Sequence, residues 1–208
     1  MMADQTIKEF IDILSTKEPV PGGGGASALA AAVGMALGSM VANLTTGKKK
    51  YAEYQEEIEE ILEKAQVITK ELLDGMDQDA EAFKPLSEAY SLPKETEEEL
   101  KYRTEVMEKA LLAASLAPLS LMKKIMEAME LTRRLSDIGS NLAISDAGVS
   151  IQMMGAALKG ASLNVFINTK LMKDREMAEK LNDETKQLLE QGERLTEETY
   201  QIVLDKIC

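Results

Sequence analysis

The segment PVPGGGGASALAAAVGMALGSMVANLT, residues 19–45 of 208, decides the fold. It carries no charged side chain, and its residues 26–45 are long enough for one helix to cross a membrane. We interpret it instead as the central helix of a bundle, wrapped on all sides by other helices, and keep the membrane span as the alternative. The prolines and glycines of residues 19–25 predict an irregular loop before it. Small residues recur at every fourth position and let another helix approach closely: Ala26, Ala30, Gly34, Gly38 and Ala42.

The rest of the chain shows the periodicity of amphipathic helices. Long runs of β-branched residues alternating with a period of two are missing, so no sheet is predicted. We therefore predict an all-α bundle of about six mostly long helices, in one domain spanning residues 1–208. Outside the central segment the predicted helices cover residues 6–14, 51–90, 95–117, 119–135, 137–171 and 174–207, with a join or kink at Pro118 and bends at Gly155 and Gly160.

Composition excludes several classes of function. The formal charge of −12 argues against general nucleic-acid binding, because phosphate contacts need clustered Lys and Arg. The absence of His removes imidazole acid–base catalysis, Ser-His-Asp triads and His-based zinc sites, so proton transfer has to use carboxylates, Lys, Tyr or ordered water. The single Cys208 and an N-terminus without the layout of a signal peptide predict a cytoplasmic protein.

Two aspartates interrupt apolar helix faces. Asp79 lies on the inward line of its predicted helix, between Met76 and Phe83, whereas Asp77 points well away from that line. A carboxylate in an apolar stripe is costly unless it is protonated, paired or hydrogen-bonded, and burial raises its pKa toward the range of a general acid–base. A purely structural Asp is the alternative.

Asp146 and Asn164 share one edge of the next inward line. Since 18 residues of helix span about 27 Å, they cannot meet in one straight helix. Either one of the two is structural, or the helix bends, or two subunits build the site together. Asn141 and Asn168 flank the same line, and buried Asn is often a satisfied packing residue.

Two further features are ambiguous by themselves. Lys48, Lys49 and Lys50 follow the small-residue helix, where they complement a helix C-terminus or attract a carboxylate ligand. The glycine run before a helix offers backbone N–H groups to an anion, but it matches neither nucleotide-binding glycine pattern.

Six motifs in order resemble the formiminotetrahydrofolate cyclodeaminase and methenyltetrahydrofolate cyclohydrolase family over nearly the whole chain. The first is residues 19–45, and the others are GKKKY at 47–51, DQDAEAF at 77–83, LPKETEEE at 92–99 with RT at 103–104, SNLAISDAGV at 140–149 and LNVFIN at 163–168. The resemblance implies an all-α homodimer without a permanently bound cofactor or metal, whose substrate is a tetrahydrofolate derivative. It implies no nucleic-acid or membrane partner.

The activity implied first is closure of 5-formiminotetrahydrofolate to 5,10-methenyltetrahydrofolate with loss of ammonia. The alternative is a cyclohydrolase that interconverts methenyl- and 10-formyltetrahydrofolate, and a non-catalytic binding or assembly protein is more distant. The family often has Ser where this chain has Gly25, although Ser27 lies close by. Carried over to this sequence, the resemblance makes Asp79 and Asp146 acid–base candidates, and it implies that Lys48 and Lys49 bind the glutamate tail of the substrate. Three asparagines would position polar groups of the substrate: Asn141, Asn164 and Asn168. The backbone that would contact the substrate belongs to Pro21, Gly22, Gly23, Gly24 and Gly25.

Overall fold

The computed structural model describes residues 1–208 and contains six α-helices and no β-strand, which confirms the all-α prediction. Three short 3₁₀-helices, Met2–Asp4, Lys49–Tyr54 and Asn141–Ala143, connect or precede them. The helices are α1 (Ile7–Leu14), α2 (Gly23–Asn43), α3 (Gln55–Tyr90), α4 (Glu97–Ile138), α5 (Ile144–Thr169) and α6 (Arg175–Ile207).

Local sequence sets where several helices begin. α1 and α4 start with capping boxes. The Thr6 and Thr96 hydroxyls accept from the backbone N–H three residues later, and the carboxylates of Glu9 and Glu99 accept from the backbone N–H of Thr6 and Thr96. Asp174 caps α6 by accepting from the Met177 N–H at 3.0 Å. Each cap satisfies N–H groups that have no partner inside the helix.

The predicted glycine loop is wrong in part, because Gly23, Gly24 and Gly25 form the first turn of α2 and only residues 19–22 precede it. Gly24 and Gly25 are buried, and a Cβ at Gly24 would overlap a side chain of α3. Glycine is unfavourable within a helix by about 1 kcal/mol relative to Ala. Close packing against α3 requires it here.

The two segments predicted on either side of Pro118 are joined in α4, which runs through this proline without a break. The predicted end of α4 differs, because the helix continues past residues 135 and 137 to Ile138. It ends where the backbone becomes extended at Gly139, and side chains from elsewhere in the chain bond the polar groups around that end. Lys206 Nζ donates to the carbonyls of Ser136 (2.6 Å) and Asp137 (3.0 Å). The Ser140 N–H donates to Thr45 Oγ1 at 2.7 Å.

α2 packs between α3 and α5, and the small-residue ridge allows this. A Cβ at Gly34 would stand 3.1 Å from the Ser150 carbonyl of α5, tighter than ordinary contact. Ser150 Oγ donates to the Gly34 carbonyl at 2.6 Å and lies 3.2 Å from Thr132 Oγ1 of α4. The ridge thus joins three helices through short polar contacts.

The expectation that α2 is wrapped on all sides is wrong for one face. Apolar side chains on that face of α2 and on α5 remain exposed, and we call them the α2/α5 face: Val33, Met40, Leu44, Val149, Leu163 and Ile167. By length and composition α2 is also the one helix that could cross a membrane, with a mean hydropathy of 1.6 over 18 residues. Since 56% of that window is buried within the protein, the criterion is equally met by a core helix.

Candidate active site

Asp79 on α3 lies against the first turn of α2. Its carboxyl group occupies the space that a Cβ on Gly24 would fill. Burial raises the pKa of Asp79 above its ordinary value, and a hydrogen bond from the Gly25 backbone N–H acts in the opposite direction. A raised pKa makes the protonated form of this carboxyl group more accessible than in an exposed aspartate, as a general acid–base requires.

A cleft of about 140 Å³ opens beside Asp79. The segment before α2 forms one wall with Gly22 and Gly23, and helices α3, α4 and α5 form the others. Its volume is below the ~300–1,000 Å³ of sites that enclose a drug-sized ligand, so it has room for a ring-sized group only. The lining residues are Pro19, Val20, Gly22, Gly23, Asp79, Phe83, Ala114, Asn164, Ile167 and Asn168.

Asn164 and Asn168 meet in this cleft from successive turns of α5. Asn164 Nδ2 donates to the Gly160 carbonyl at 3.1 Å, and its amide lies about 3.5 Å from where a Cβ of Gly23 would stand. Asn168 Nδ2 donates to the carbonyls of Ala114 (2.8 Å) and Asn164 (2.9 Å). Both side-chain oxygens are left without a partner in the chain.

A second cavity of about 200 Å³ reaches the other side of Asp79, between α3 and α4. Gln78, Ser120 and Lys124 are among its lining residues, and the sequence did not identify any of them. Lys124 Nζ forms ion pairs with the carboxylates of Glu71 and Glu127, each at an N–O distance of 3.1 Å. No pattern distinguished these side chains from an ordinary exposed helix face.

The remaining predicted residues lie at the opposite end of α2. Lys48 Nζ donates to Ser140 Oγ at 3.0 Å, and Lys49 is exposed. The Asn141 N–H donates to the Tyr51 hydroxyl at 3.2 Å, and this bond is the main cause that lowers the pKa of Tyr51.

Asp146 is half-buried in the first turn of α5 and makes no hydrogen bond or ion pair with the chain. α2 has 21 residues, so about 30 Å separates this end from Asp79. α5 runs unbroken from Ile144 to Thr169 through both Gly155 and Gly160.

The predicted site residues therefore fall into two groups. Asp79, Asn164, Asn168 and the backbone of residues 21–25 lie together at one end of α2, and Lys48, Lys49, Asn141 and Asp146 lie at the other. The first group combines a protonatable carboxyl, unpartnered amide oxygens and backbone N–H groups of a helix N-terminus. Such an arrangement can transfer a proton to and from a bound ring and hold that ring in place.

Comparison with known proteins identifies the same family as the sequence motifs. The family model described as formiminotransferase-cyclodeaminase matches residues 6–187. A methenyltetrahydrofolate cyclohydrolase of Methylorubrum extorquens is 39% identical over the full length of both chains. The formimidoyltransferase-cyclodeaminase of chicken is 33% identical over 88% of this chain, which spans only 34% of that larger protein.

A solved structure agrees in fold. The crystal structure of formiminotetrahydrofolate cyclodeaminase from Thermotoga maritima superposes with a TM-score of 0.81 at 29% identity, covering 99% of this chain and 97% of that one. The relatives found by sequence and the one found by structure are all named as enzymes. Sequence motifs, family model and full-length similarity agree, and the chain is an enzyme that belongs to the formiminotransferase-cyclodeaminase family.

Proposed function

We propose that this enzyme interconverts 5,10-methenyl- and 10-formyltetrahydrofolate by adding water, and that Asp79 is its general acid–base. The observation that supports the type of chemistry is the buried Asp79 carboxyl at the wall of a ring-sized cleft, with its pKa raised. The observation that favours water as co-substrate is the 39% identity to a cyclohydrolase over the whole chain. The sequence motifs by themselves ranked the deaminating activity first.

The mechanism needs one proton carrier. Water attacks the methenyl carbon, which bridges N5 and N10, and Asp79 accepts one proton of that water as the C–O bond forms. The tetrahedral carbon then breaks its bond to N5. N5 takes a proton from Asp79 while the remaining hydroxyl proton leaves, and the formyl group stays on N10. One proton is released per turnover, and the reaction requires no metal, bound cofactor or nucleophilic side chain.

Cyclodeamination is the second candidate and uses the same tetrahedral carbon. N10 attacks the formimino carbon on N5, and the former imino nitrogen leaves as ammonia after protonation. The full-length superposition on a cyclodeaminase at a TM-score of 0.81 favours this alternative. Both reactions place the tetrahydrofolate derivative as substrate in the cleft beside Asp79, and both suit a cytoplasmic enzyme.

The two activities differ in what they do to the methenyl absorbance band. Purified enzyme is given methenyltetrahydrofolate and 5-formiminotetrahydrofolate in separate assays. A cyclohydrolase accelerates loss of the band from the first substrate, and a cyclodeaminase accelerates its appearance from the second together with ammonia. Asp79→Asn is the control for contaminating activity. No acceleration with either substrate contradicts the proposal.

We also propose that the enzyme works as a homodimer through the α2/α5 face. Two features support this arrangement. The face exposes apolar side chains along two adjacent helices, and the two groups of candidate residues lie at its opposite ends. A two-fold axis that sets α5 antiparallel to its copy brings Lys48, Lys49 and Asp146 of one subunit toward the Asp79 cleft of the other. That cleft is too small to bury a whole folate in one subunit.

Subunit mixing tests this dimer. Asp79→Asn and a Lys48→Ala/Lys49→Ala variant are unfolded together, refolded and assayed. With sites shared between subunits, half of the dimers are mixed and each keeps one intact site, so activity recovers to about a quarter of wild type. Sites confined to one subunit give no recovery, and a monomeric mass in solution excludes the dimer directly.

A further inference from the structure

The side-chain amide of Asn168 has an orientation fixed by two backbone carbonyl groups. Nδ2 donates to the carbonyl of Ala114 on α4 at 2.8 Å and to the carbonyl of Asn164 on α5 at 2.9 Å. An amide nitrogen carries two hydrogens, so both donors are used. The flipped orientation would point Oδ1 at two carbonyl oxygens and leave Nδ2 without acceptors, which excludes it.

Pro118 leaves the Ala114 carbonyl free for this bond. In an α-helix the N–H of residue i donates to the carbonyl of residue i−4, and proline has no N–H. α4 continues through Pro118, so the carbonyl of buried Ala114 lacks its helical donor. Asn168 supplies that donor from the neighbouring helix.

The result is a side chain that offers a ligand only an acceptor. Asn168 borders the same cleft as Asp79, and its Oδ1 receives no hydrogen bond from the chain. A group with this character selects an N–H on the ligand and disfavours a ring nitrogen that carries a lone pair. Ring N–H groups of the reduced pterin are such donors, and fully oxidised folate has lone pairs in their place.

We propose that Asn168 is a specificity residue whose Oδ1 accepts a hydrogen bond from a reduced-ring N–H of the tetrahydropterin, held in position by the carbonyl that Pro118 leaves free. The identity of the ligand rests on the proposed function. Asn168 thereby distinguishes tetrahydrofolate from oxidised folate.

Pro118→Ala provides the background for the test. Asn168→Leu alone removes a structural donor together with the acceptor, because it leaves the Ala114 carbonyl unpartnered. Pro118→Ala gives that carbonyl an N–H from its own helix. The carbonyl keeps a second lone pair, so Asn168 can still donate to it, and Pro118→Ala serves only as the reference protein for the double variant. Comparing Pro118→Ala with Pro118→Ala/Asn168→Leu then isolates the acceptor.

Binding of tetrahydrofolate and of folic acid is measured by equilibrium dialysis, and KM and kcat are measured on the active substrate. The double variant is expected to bind tetrahydrofolate about tenfold more weakly than Pro118→Ala, as for loss of one hydrogen bond, and to bind folic acid no more weakly, because the repulsion between lone pairs is removed. KM rises more than kcat falls. Equal tetrahydrofolate affinities in the two variants overturn the proposal and leave Asn168 a structural residue.

A second measurement uses the unmodified protein and does not depend on folding of the variants. The Asn168 side-chain amide is followed by ¹⁵N NMR, and it is expected to shift on saturation with tetrahydrofolate but not with folic acid. An unshifted resonance at saturation overturns the proposal. Because binding is read without turnover, an enzyme that binds tetrahydrofolate through Asn168 but converts neither folate substrate contradicts only the proposed function.

Discussion

The carboxyl group of Asp79 on α3 occupies the space that a side chain at Gly24 on α2 would need. This contact explains two unusual features of the sequence together. The absent Cβ of Gly24 leaves room for the carboxyl group beside the first turn of α2. That carboxyl can be buried because the Gly25 backbone N–H in the same turn donates to it.

Replacing Asp79 by Asn is expected to lower turnover at least about 100-fold, the range for loss of a general acid–base. The fold should survive because the Asn oxygen still accepts from the Gly25 N–H. Steady-state rates and circular dichroism measure both effects. Asp77→Asn is the matched control, since Asp77 is two residues away and binds the Met2 backbone N–H at 3.0 Å instead. Wild-type turnover in Asp79→Asn would remove Asp79 from the mechanism.

The raised pKa of Asp79 predicts a specific pH dependence of stability. Burial raises its pKa above the ordinary 3.8, so the folded protein binds this proton more tightly than the unfolded chain. Stability from this group is therefore lost as the pH rises from the ordinary pKa through the raised one. Asp79→Asn lacks the titration. The free energy of unfolding of the variant minus that of wild type, from urea denaturation, should grow over that window and then level off.

The opposite trend, a difference that shrinks as the pH rises, would mean that backbone N–H groups outweigh burial at Asp79.

Gly24→Ala is expected to destabilise the protein by about 1–3 kcal/mol, as overpacking does, and to displace the Asp79 carboxyl. In an Asp79→Ala background the same change should cost much less, because the atoms that it would overlap are gone. Denaturation of all four proteins gives this coupling free energy. Gly22→Ala is the stability control, since its Cβ would meet only the Pro19 carbonyl at 3.9 Å. Additive effects of Gly24→Ala and Asp79→Ala would disprove the contact.

Gly34→Ala tests the close approach of α2 and α5. Its Cβ would lie 2.7 Å from Met154 Cγ and 3.1 Å from the Ser150 carbonyl, so a loss of about 1–3 kcal/mol in unfolding free energy is expected. Gly75→Ala is the matched control on α3, because its nearest neighbour, Leu121 Cδ1, stands at an ordinary 3.5 Å. A Gly34→Ala protein as stable as Gly75→Ala would mean that the ridge is not tightly packed.

Sequence periodicity predicted the helical class, the approximate number of helices and the inward position of Asp79, because these depend on neighbours three and four residues apart. It misplaced the end of α4. Two residues remote in sequence bond the backbone around that end. Lys206 donates to the Ser136 carbonyl, and Thr45 accepts from the Ser140 N–H. Pro118 was expected to kink or join two helices, and the donor that replaces its missing N–H is the distant Asn168.

The sequence by itself determined the all-α class and an uncharged, small-residue helix that other helices can approach closely, since composition and spacing act locally. Only the tertiary structure decided that Gly24 and Gly25 form a helical turn around a carboxyl group from another helix. Only it divided the candidate residues into two groups about 30 Å apart at the ends of α2. Both results depend on which helices pack together, because only this packing determines which atoms fill the space beside a glycine.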